Sequence, residues 1–365
     1  MAKIALFLPS LDGGGAERVA ITLASGFLKR GYEIDFVLVK ATGDLLGLIP
    51  PEARLIDLHA SRTVTALPKL TTYLANEKPA ALIAGIDHVN MIAIWAKLLS
   101  HSRSKVSIGN HTHLSSMIRN TPKLQEKIYP LLLQIFHRYA NAIIAISQAS
   151  ADDMAKIGKI PRSMIQTIYN PFPILEIIRL SNEPLEHPWF AVGQPPVILA
   201  AGRLSAEKDY PTLLKAFALL RSRLPAHMII LGEGKERSRL HALAGELGIL
   251  PDVDLPGFSD HPYAFMSRSR VFVLSSAWEG FGNVLVEALA CGTQVVSTDC
   301  PGGPAEILEG GRYGRLVPIG DVEALAQAIE AALDVPFPPD ILRQRAEDFT
   351  VDRAVAQYLK ALGLT

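Results

Sequence analysis

The feature that most constrains this chain is a rhythm that runs, stops and starts again. A short apolar strand pattern (Lys3–Leu8) leads into the turn "PSLDGGG". A helical pattern over about 16–30 follows, with Gly31 placed as its C′ stop, and then a second strand pattern over 33–39. Apolar runs such as "AALIAG" and "ANAIIAIS" alternate with helical patterns further on. Strands apolar at nearly every position, separated by helices, imply a parallel sheet covered on both faces. "IYNPFP" at 168–173 stops this rhythm, and the stretch 171–196, rich in Pro and polar residues, reads as a linker. The rhythm then restarts with "PVILAAG", "YPTLLKAFALLRSRL", "HMIILG", "KERSRLHALAGELG", "VDLPG", "VFVLSS", "TQVVSTD" and "DVEALAQAIEAAL".

The expected fold is therefore α/β, with two Rossmann-like doubly wound parallel-sheet domains facing across a cleft. Their expected bounds are 1–175 and 197–345, joined by a linker at 176–196, and the stretch Pro171–Pro196 would act as the hinge. The last helical stretch, 346–365, stays with the second domain or crosses back to the first. A chain of 365 residues is too long for one core, which fits this division. Equal numbers of basic and acidic residues, 36 each, give no bulk field to attract nucleic acid. Two cysteines, Cys291 and Cys300, suggest a reducing compartment, so a cytoplasmic protein is expected. The N-terminal apolar run is too short for a signal peptide. The longest apolar window, "IYPLLLQIFHRYANAIIAIS", is broken by Pro130, Gln134, His137 and Arg138, so no membrane span is expected.

Chemistry concentrates in "SSAWEGFGNVLVEALACG", residues 275–292. Strand "VFVLSS" ends near Ser276 and a helix begins near Asn283, burying Val284, Leu285, Ala288 and Leu289. Glu279 would then lie on the loop and Glu287 one turn inside the helix. The unpaired amides of a helix start carry the positive end of the dipole and suit a phosphate. Glycines at 280 and 282 let a ligand approach the backbone. Carboxylates accept well from sugar hydroxyls and repel phosphate, so each acid should face a sugar or ribose. The cations come from "AAGRLSAEKDY", where Arg203 and Lys208 follow a strand end and form a pair suited to a diphosphate.

"GRLSAEK" and "EGFGNVLVE" resemble the two signature motifs of the retaining, GT-B-fold glycosyltransferases of family GT4. Glu279 and Glu287 meet the E-x7-E motif in full. "LGEG", "LPGF", "PGGPAEIL" and "GRYGRLVP" resemble that family in order and spacing, so the match runs from about Val197 to Pro318; in the first half it is thinner and rests on "GGGAER", "NHTH" and "YNP". The resemblance implies that Arg203 and Lys208 bind the donor diphosphate and stabilise the leaving group. It implies that Glu287 holds the ribose and that Glu279 contacts the transferred sugar, with the backbone of Phe281, Gly282 and Asn283. Gly14 and Gly15 would approach the phosphates, Phe258 would lie beside the base, and His111 would face the sugar, with His113 as the alternative. The expected donor is a UDP-hexose or UDP-N-acetylhexosamine, and the expected acceptor a glycan or polyprenyl-linked saccharide. Neither a cofactor nor a metal is expected.

The same sequence admits other readings. "HTH" offers two histidines but no third ligand, and "DVD" at Asp252–Asp254 reads as a strand-entry loop. Both cysteines read as structural. The segment 122–139 combines Lys123, Lys127, His137 and Arg138 with Ile128, Leu131, Leu132, Ile135 and Phe136. It reads as a core helix with a wet face, or as a basic, apolar flank touching anionic lipid on the inner face of the plasma membrane. An epimerase-like or phosphorylase-like enzyme and a non-catalytic sugar-nucleotide-binding module are the rival functions. A dinucleotide oxidoreductase is disfavoured, because "LDGGGAER" is not G-x-G-x-x-G and strand two ends without an acid.

Overall fold

The computed structural model describes residues 2–85, 87–120 and 124–364, apart from the side chains at 87, 88 and 124–126. The chain divides into two compact units, 1–172 with 349–365, and 173–348.

The first unit opens with β1 (Lys3–Leu8), α1 (Gly15–Lys29) and β2 (Glu33–Leu38), close to the bounds read from sequence. There follow β3 (Arg54–Asp57), α2 (Leu67–Glu77), β4 (Ala81–Ala84), α3 (Asp87–Ser100), β5 (Lys105–Asn110) and α4 (Leu114–Asn120). The unit continues through α5 (Leu124–Phe136), β6 (Ala142–Ala145), α6 (Gln148–Gly158) and β7 (Ile165–Thr167). Helix α1 buries Val19, Ala20, Leu23, Ala24 and Phe27, a stripe with the helical period. It ends at Arg30, where Gly31 takes φ +82°. The seven strands are all parallel, in the order β3-β2-β1-β4-β5-β6-β7. Helices cover both faces, so β4 and β6 are buried along their whole length.

The second unit holds α7 (Ile174–Ser181), β8 (Val197–Ala201), α8 (Tyr210–Arg221), β9 (His227–Leu231), α9 (Arg237–Glu246) and β10 (Val253–Gly257). Next come α10 (Pro262–Arg268), β11 (Val271–Leu274), α11 (Asn283–Ala290), β12 (Val295–Thr298), α12 (Pro304–Ile307) and β13 (Arg315–Val317). The unit closes with α13 (Val322–Asp334) and α14 (Pro339–Ala346). Its six strands are parallel in the order β10-β9-β8-β11-β12-β13.

The stretch 171–196 corrects the linker reading. It carries α7, which buries Ile174 and Ile177 and packs on α10 and α11. An aromatic cluster follows. Trp189 stacks flat on His227 at 4.3 Å, Phe190 meets Phe265 edge-on at 6.0 Å, and His187 Nε2 reaches Asp254 Oδ2 at 3.1 Å. Flanking prolines masked a helix of only eight residues, and half-buried Trp189 and Phe190 tie the segment after it to the unit through ring contacts. The "DVD" acids have separate structural partners: Asp252 binds Arg221 at 2.7 Å, while Asp254 lies within β10.

The chain's last helix, α15 (Val351–Leu362), returns to the first unit. It buries Ala354, Val355, Tyr358, Leu359 and Leu362. At Gly26 of α1, an added Cβ would stand 2.5 Å from Val351 Cγ1 and 2.6 Å from Val355 Cγ2, so the missing side chain lets the helices close. Tyr32 donates to the Leu364 carbonyl at 2.8 Å, and Phe27 meets Tyr358 edge-on. Where the chain leaves and re-enters this unit, Phe172 N–H donates to the Phe349 carbonyl at 2.8 Å.

Candidate functional site

In each sheet the strand order reverses direction once. The reversal lies between β1 and β4 in the first unit and between β8 and β11 in the second. The crevice outside the strand ends at such a switch point is where open parallel sheets bind ligands. In the second unit, the loops leaving β8 and β11 are those of "GRLSAEK" and "SSAWEGFGN".

These loops, some 70 residues apart in sequence, are stitched together. Ala277 N–H donates to the Glu207 carbonyl at 2.8 Å, and Ser275 Oγ donates to the Lys208 carbonyl at 2.7 Å. Lys208 runs its stem over Gly202, where a Cβ would lie 3.3 Å from Lys208 Cε, and its Nζ meets Glu279 Oε1 at 2.6 Å. Ser276 Oγ donates to the same oxygen at 2.7 Å. The two charged side chains are only 17% and 12% exposed, so water screens their attraction poorly. Arg203 is exposed at the mouth of the β8 loop, with no ion-pair partner among the described residues. Nearby, Glu279 adds to burial in raising the Tyr210 hydroxyl, and burial with Glu279 pushes the Cys300 thiol up to about 12.

The glycines of "PGGP" shape the Glu279 loop from below. Glu279 N–H donates to the Pro301 carbonyl at 2.9 Å. Gly302 takes φ +130°, and a Cβ there would collide with the Glu279 carbonyl. Phe281 is 2% exposed and anchors the loop, a burial that stabilises it by about 2–3 kcal/mol. Arg345 then holds the following segment: it donates to the carbonyls of Glu306 and Ile307 and pairs with Glu309 and Asp348.

Helix α11 begins after Gly282, whose φ of +97° turns the loop into the helix. Its core face differs by one position from the expected one. Leu285, Val286, Ala288 and Leu289 are buried, whereas Val284 is half-buried. Asn283 and the half-buried Glu287 lie on this helix, and Phe258, 67% exposed, lies just past β10. Burial, with Glu287 second, pushes the Cys291 thiol up. Both cysteines are free and buried.

In the first unit the β1 loop delivers Gly13 (φ +101°), Gly14 as the N-cap of α1, and Gly15 as its first residue. The Glu17 side chain folds back against Gly14. The half-buried His111 follows β5 and sets its Nε2 against Gly85, at the end of β4, where a Cβ would stand 2.8 Å away. It shares an apolar cavity with Leu6, Ala16, Val19 and Tyr358. Burial there pushes the imidazole down to about 4, so it is neutral near pH 7. His113 has other surroundings: its Nδ1 lies 3.0 Å from Ser116 Oγ and 3.7 Å from Asp153. The two histidines of "HTH" therefore face different partners. Among the described residues no group of three His, Cys, Asp or Glu side chains is arranged to hold a metal ion.

Within the second unit the structure brings together Lys208 and Glu279, with Arg203 on the same β8 loop. Sequence reasoning missed Ser275, Ser276, Pro301 and Gly302. The paired serines at the end of an apolar strand and the paired glycines after the next one were the available signals.

Two family models match the chain: "Glycosyltransferase Family 4" over residues 13–174 and "Glycosyl transferases group 1" over 183–349. The lipopolysaccharide core biosynthesis glycosyltransferase LpsE of Rhizobium meliloti is 30% identical over 322 residues, 87% of this chain and 85% of that protein. The N-acetylgalactosamine-N,N'-diacetylbacillosaminyl-diphospho-undecaprenol 4-alpha-N-acetylgalactosaminyltransferase of Campylobacter jejuni is 28% identical over 367 residues, 98% of this chain and 96% of that one. The crystal structure of Anabaena HepE in complex with UDP-glucose superposes with a TM-score of 0.81 at 22% identity, covering 99% of this chain and all of that one. That likeness speaks for the fold. On these matches and this two-sheet architecture, the chain belongs to the family 4, group 1 glycosyltransferases, and its fold is GT-B.

Proposed function

We propose that this glycosyltransferase moves a hexose or N-acetylhexosamine from a UDP-sugar to a glycan or polyprenyl-linked saccharide, with retention and without a metal. The observation that carries the reading is the stitched pair of loops at the β8–β11 switch point, which sets a cation and a carboxylate 2.6 Å apart. The names of relatives support the substrate classes. One carries a diphospho-undecaprenol-linked substrate in its name, and HepE was solved with UDP-glucose.

In this reading Arg203 and Lys208 bind the diphosphate, Glu287 the ribose and Glu279 the sugar hydroxyls. Phe281, Gly282 and Asn283 offer backbone groups, and Phe258 lies beside the base. Gly14 and Gly15 serve the phosphates from the first unit, and the neutral His111 serves the sugar. As the bond from the anomeric carbon to the diphosphate oxygen breaks, negative charge grows on the leaving group and positive potential from Arg203 and Lys208 stabilises it. The acceptor oxygen bonds to the same face, and its proton passes to the departing phosphate. A hydrolase-style pair of catalytic carboxylates is not needed.

The test is thermal shift with UDP, GDP and ADP, each with and without EDTA, on wild type and Lys208→Ala. One nucleotide should stabilise wild type, and EDTA should change nothing. The variant should bind roughly ten- to a hundredfold more weakly, as expected for a lost charge-assisted bond. Absence of binding, or a metal requirement, would sink the reading.

Peripheral contact with an anionic membrane is part of the proposal. Helix α5 turns Tyr129 and Leu133 into the core while Ile128, Leu131 and Ile135 stand 42%, 57% and 42% exposed. Lys127 and Arg138 accompany this stripe, and Lys123 lies outside the described residues. Among the described residues no helix is long and apolar enough to cross a membrane. Sedimentation with anionic liposomes that shows no salt-sensitive binding would remove this part.

A further inference from the structure

We infer that the Lys208–Glu279 pair makes the second unit's site discriminate against the spent nucleotide and in favour of the intact sugar donor. The inference rests on the donor-site reading above and goes one step beyond it. Each charge is satisfied by the other at 2.6 Å in surroundings largely closed to water. The carboxylate is fixed in place. Ser276, fully buried, donates to it at 2.7 Å, and the Ser276 carbonyl is itself held by Thr298 Oγ1 at 2.6 Å. Glu279 N–H is tied to Pro301, and Gly302 packs against the Glu279 carbonyl, so the loop cannot easily swing the acid out to water. Ser275 fixes the Lys208 backbone in the same way.

A nucleoside diphosphate draws Lys208 toward phosphate and supplies nothing to Glu279. Among the described residues the acid then keeps only the Ser276 hydroxyl, and it faces a new negative charge nearby. Leaving a poorly hydrated charge without its partner is unfavourable. A donor that still carries its sugar supplies both replacements, phosphate oxygens for Lys208 and hydroxyl donors for Glu279. The acid thus weakens product binding and strengthens donor binding, which favours release of the nucleotide after transfer.

The experiment is calorimetric titration of wild type, Glu279→Gln, Lys208→Met and the double variant Lys208→Met/Glu279→Gln. The probes are whichever of UDP, GDP or ADP binds wild type, and the glucose-bearing form of that nucleotide. Glutamine keeps the shape and removes the charge. Glu279→Gln should bind the bare nucleotide about two- to fivefold tighter than wild type, the range for a partly exposed ion pair. Its preference for the glucose-bearing form should fall by a similar factor. In the Lys208→Met background, measured against Lys208→Met alone, the gain should shrink to what the acid's repulsion of phosphate leaves. Ser276→Ala, which keeps the charge, should not tighten nucleotide binding. Should Glu279→Gln fail to fold in a thermal melt, Glu279→Ala carries the same expected sign. Unchanged or weaker nucleotide binding by a folded Glu279 variant overturns the inference while leaving the donor-site reading intact. Failure of wild type to bind any nucleotide overturns that reading itself, and the inference with it.

Discussion

At the ends of β8 and β11 the second unit sets a lysine, a glutamate and two serines within hydrogen-bond distance of one another or of each other's backbone. At the ends of β1 and β4 the first unit offers a glycine turn, a neutral imidazole and an apolar wall. The same topological position has been given two chemistries. A charged site needs its groups held, because a free lysine and glutamate would each prefer water, so backbone bonds and close glycine contacts surround it. The imidazole needs only apolar neighbours, which Gly85 after β4 and Ala16 and Val19 of α1 supply.

The contrast in packing predicts the largest difference. Gly302 sits against the Glu279 carbonyl, whereas Gly13, also at positive φ, has no atom within 4 Å of where its Cβ would stand. Gly13→Ala should therefore cost only backbone strain, about 1–2 kcal/mol. Gly302→Ala adds a collision and should cost at least about twice that, with loss of nucleotide binding. Equal losses in chemical denaturation would show that the two loops are held alike.

The contrast in charge predicts a smaller, pH-dependent effect. His111 has its pKa lowered by burial from 6.5 to about 4. Between those values the unfolded chain binds the proton and the folded one does not, so this group's contribution to stability rises with pH. It is complete above about 6.5 and is lost as the pH falls toward about 4. His111→Gln should flatten the dependence of Tm on pH in that window and leave it unchanged above pH 7. A slope that persists in full would mean that the ring is hydrated.

The smallest effect lies on the α5 stripe, away from both switch points. Leu131→Ser removes apolar area that already faces solvent, so Tm should move by less than about 0.5 kcal/mol equivalent. Sedimentation with anionic liposomes should fall about threefold or more, the loss expected from one inserted leucine. A large drop in Tm instead would place Leu131 in the core.

Much of this molecule was legible in one dimension, because parallel sheets demand continuous apolar strands and helices demand a 3.6-residue stripe. The pattern matches β1 to the residue, and it puts the loops carrying Arg203, Lys208 and Glu279 at strand ends, where the structure has them. The failures share a cause. α7 is short and flanked by Pro, so its two buried isoleucines left too weak a period to see. The stripe of α15 announced that the helix needed a partner, yet only packing on Gly26 and Phe27 decided which.

The sequence by itself determined the α/β rhythm, the family and the types of charged residue at the strand ends, since these depend on local pattern and residue chemistry. Only the tertiary structure decided that β8 and β11 are neighbours, that Lys208 and Glu279 meet there, and that Ser276 and Gly302 hold the acid in place. Those facts depend on strand order and on backbone approach. Contacts between segments tens of residues apart leave no period in a sequence for a reader to find.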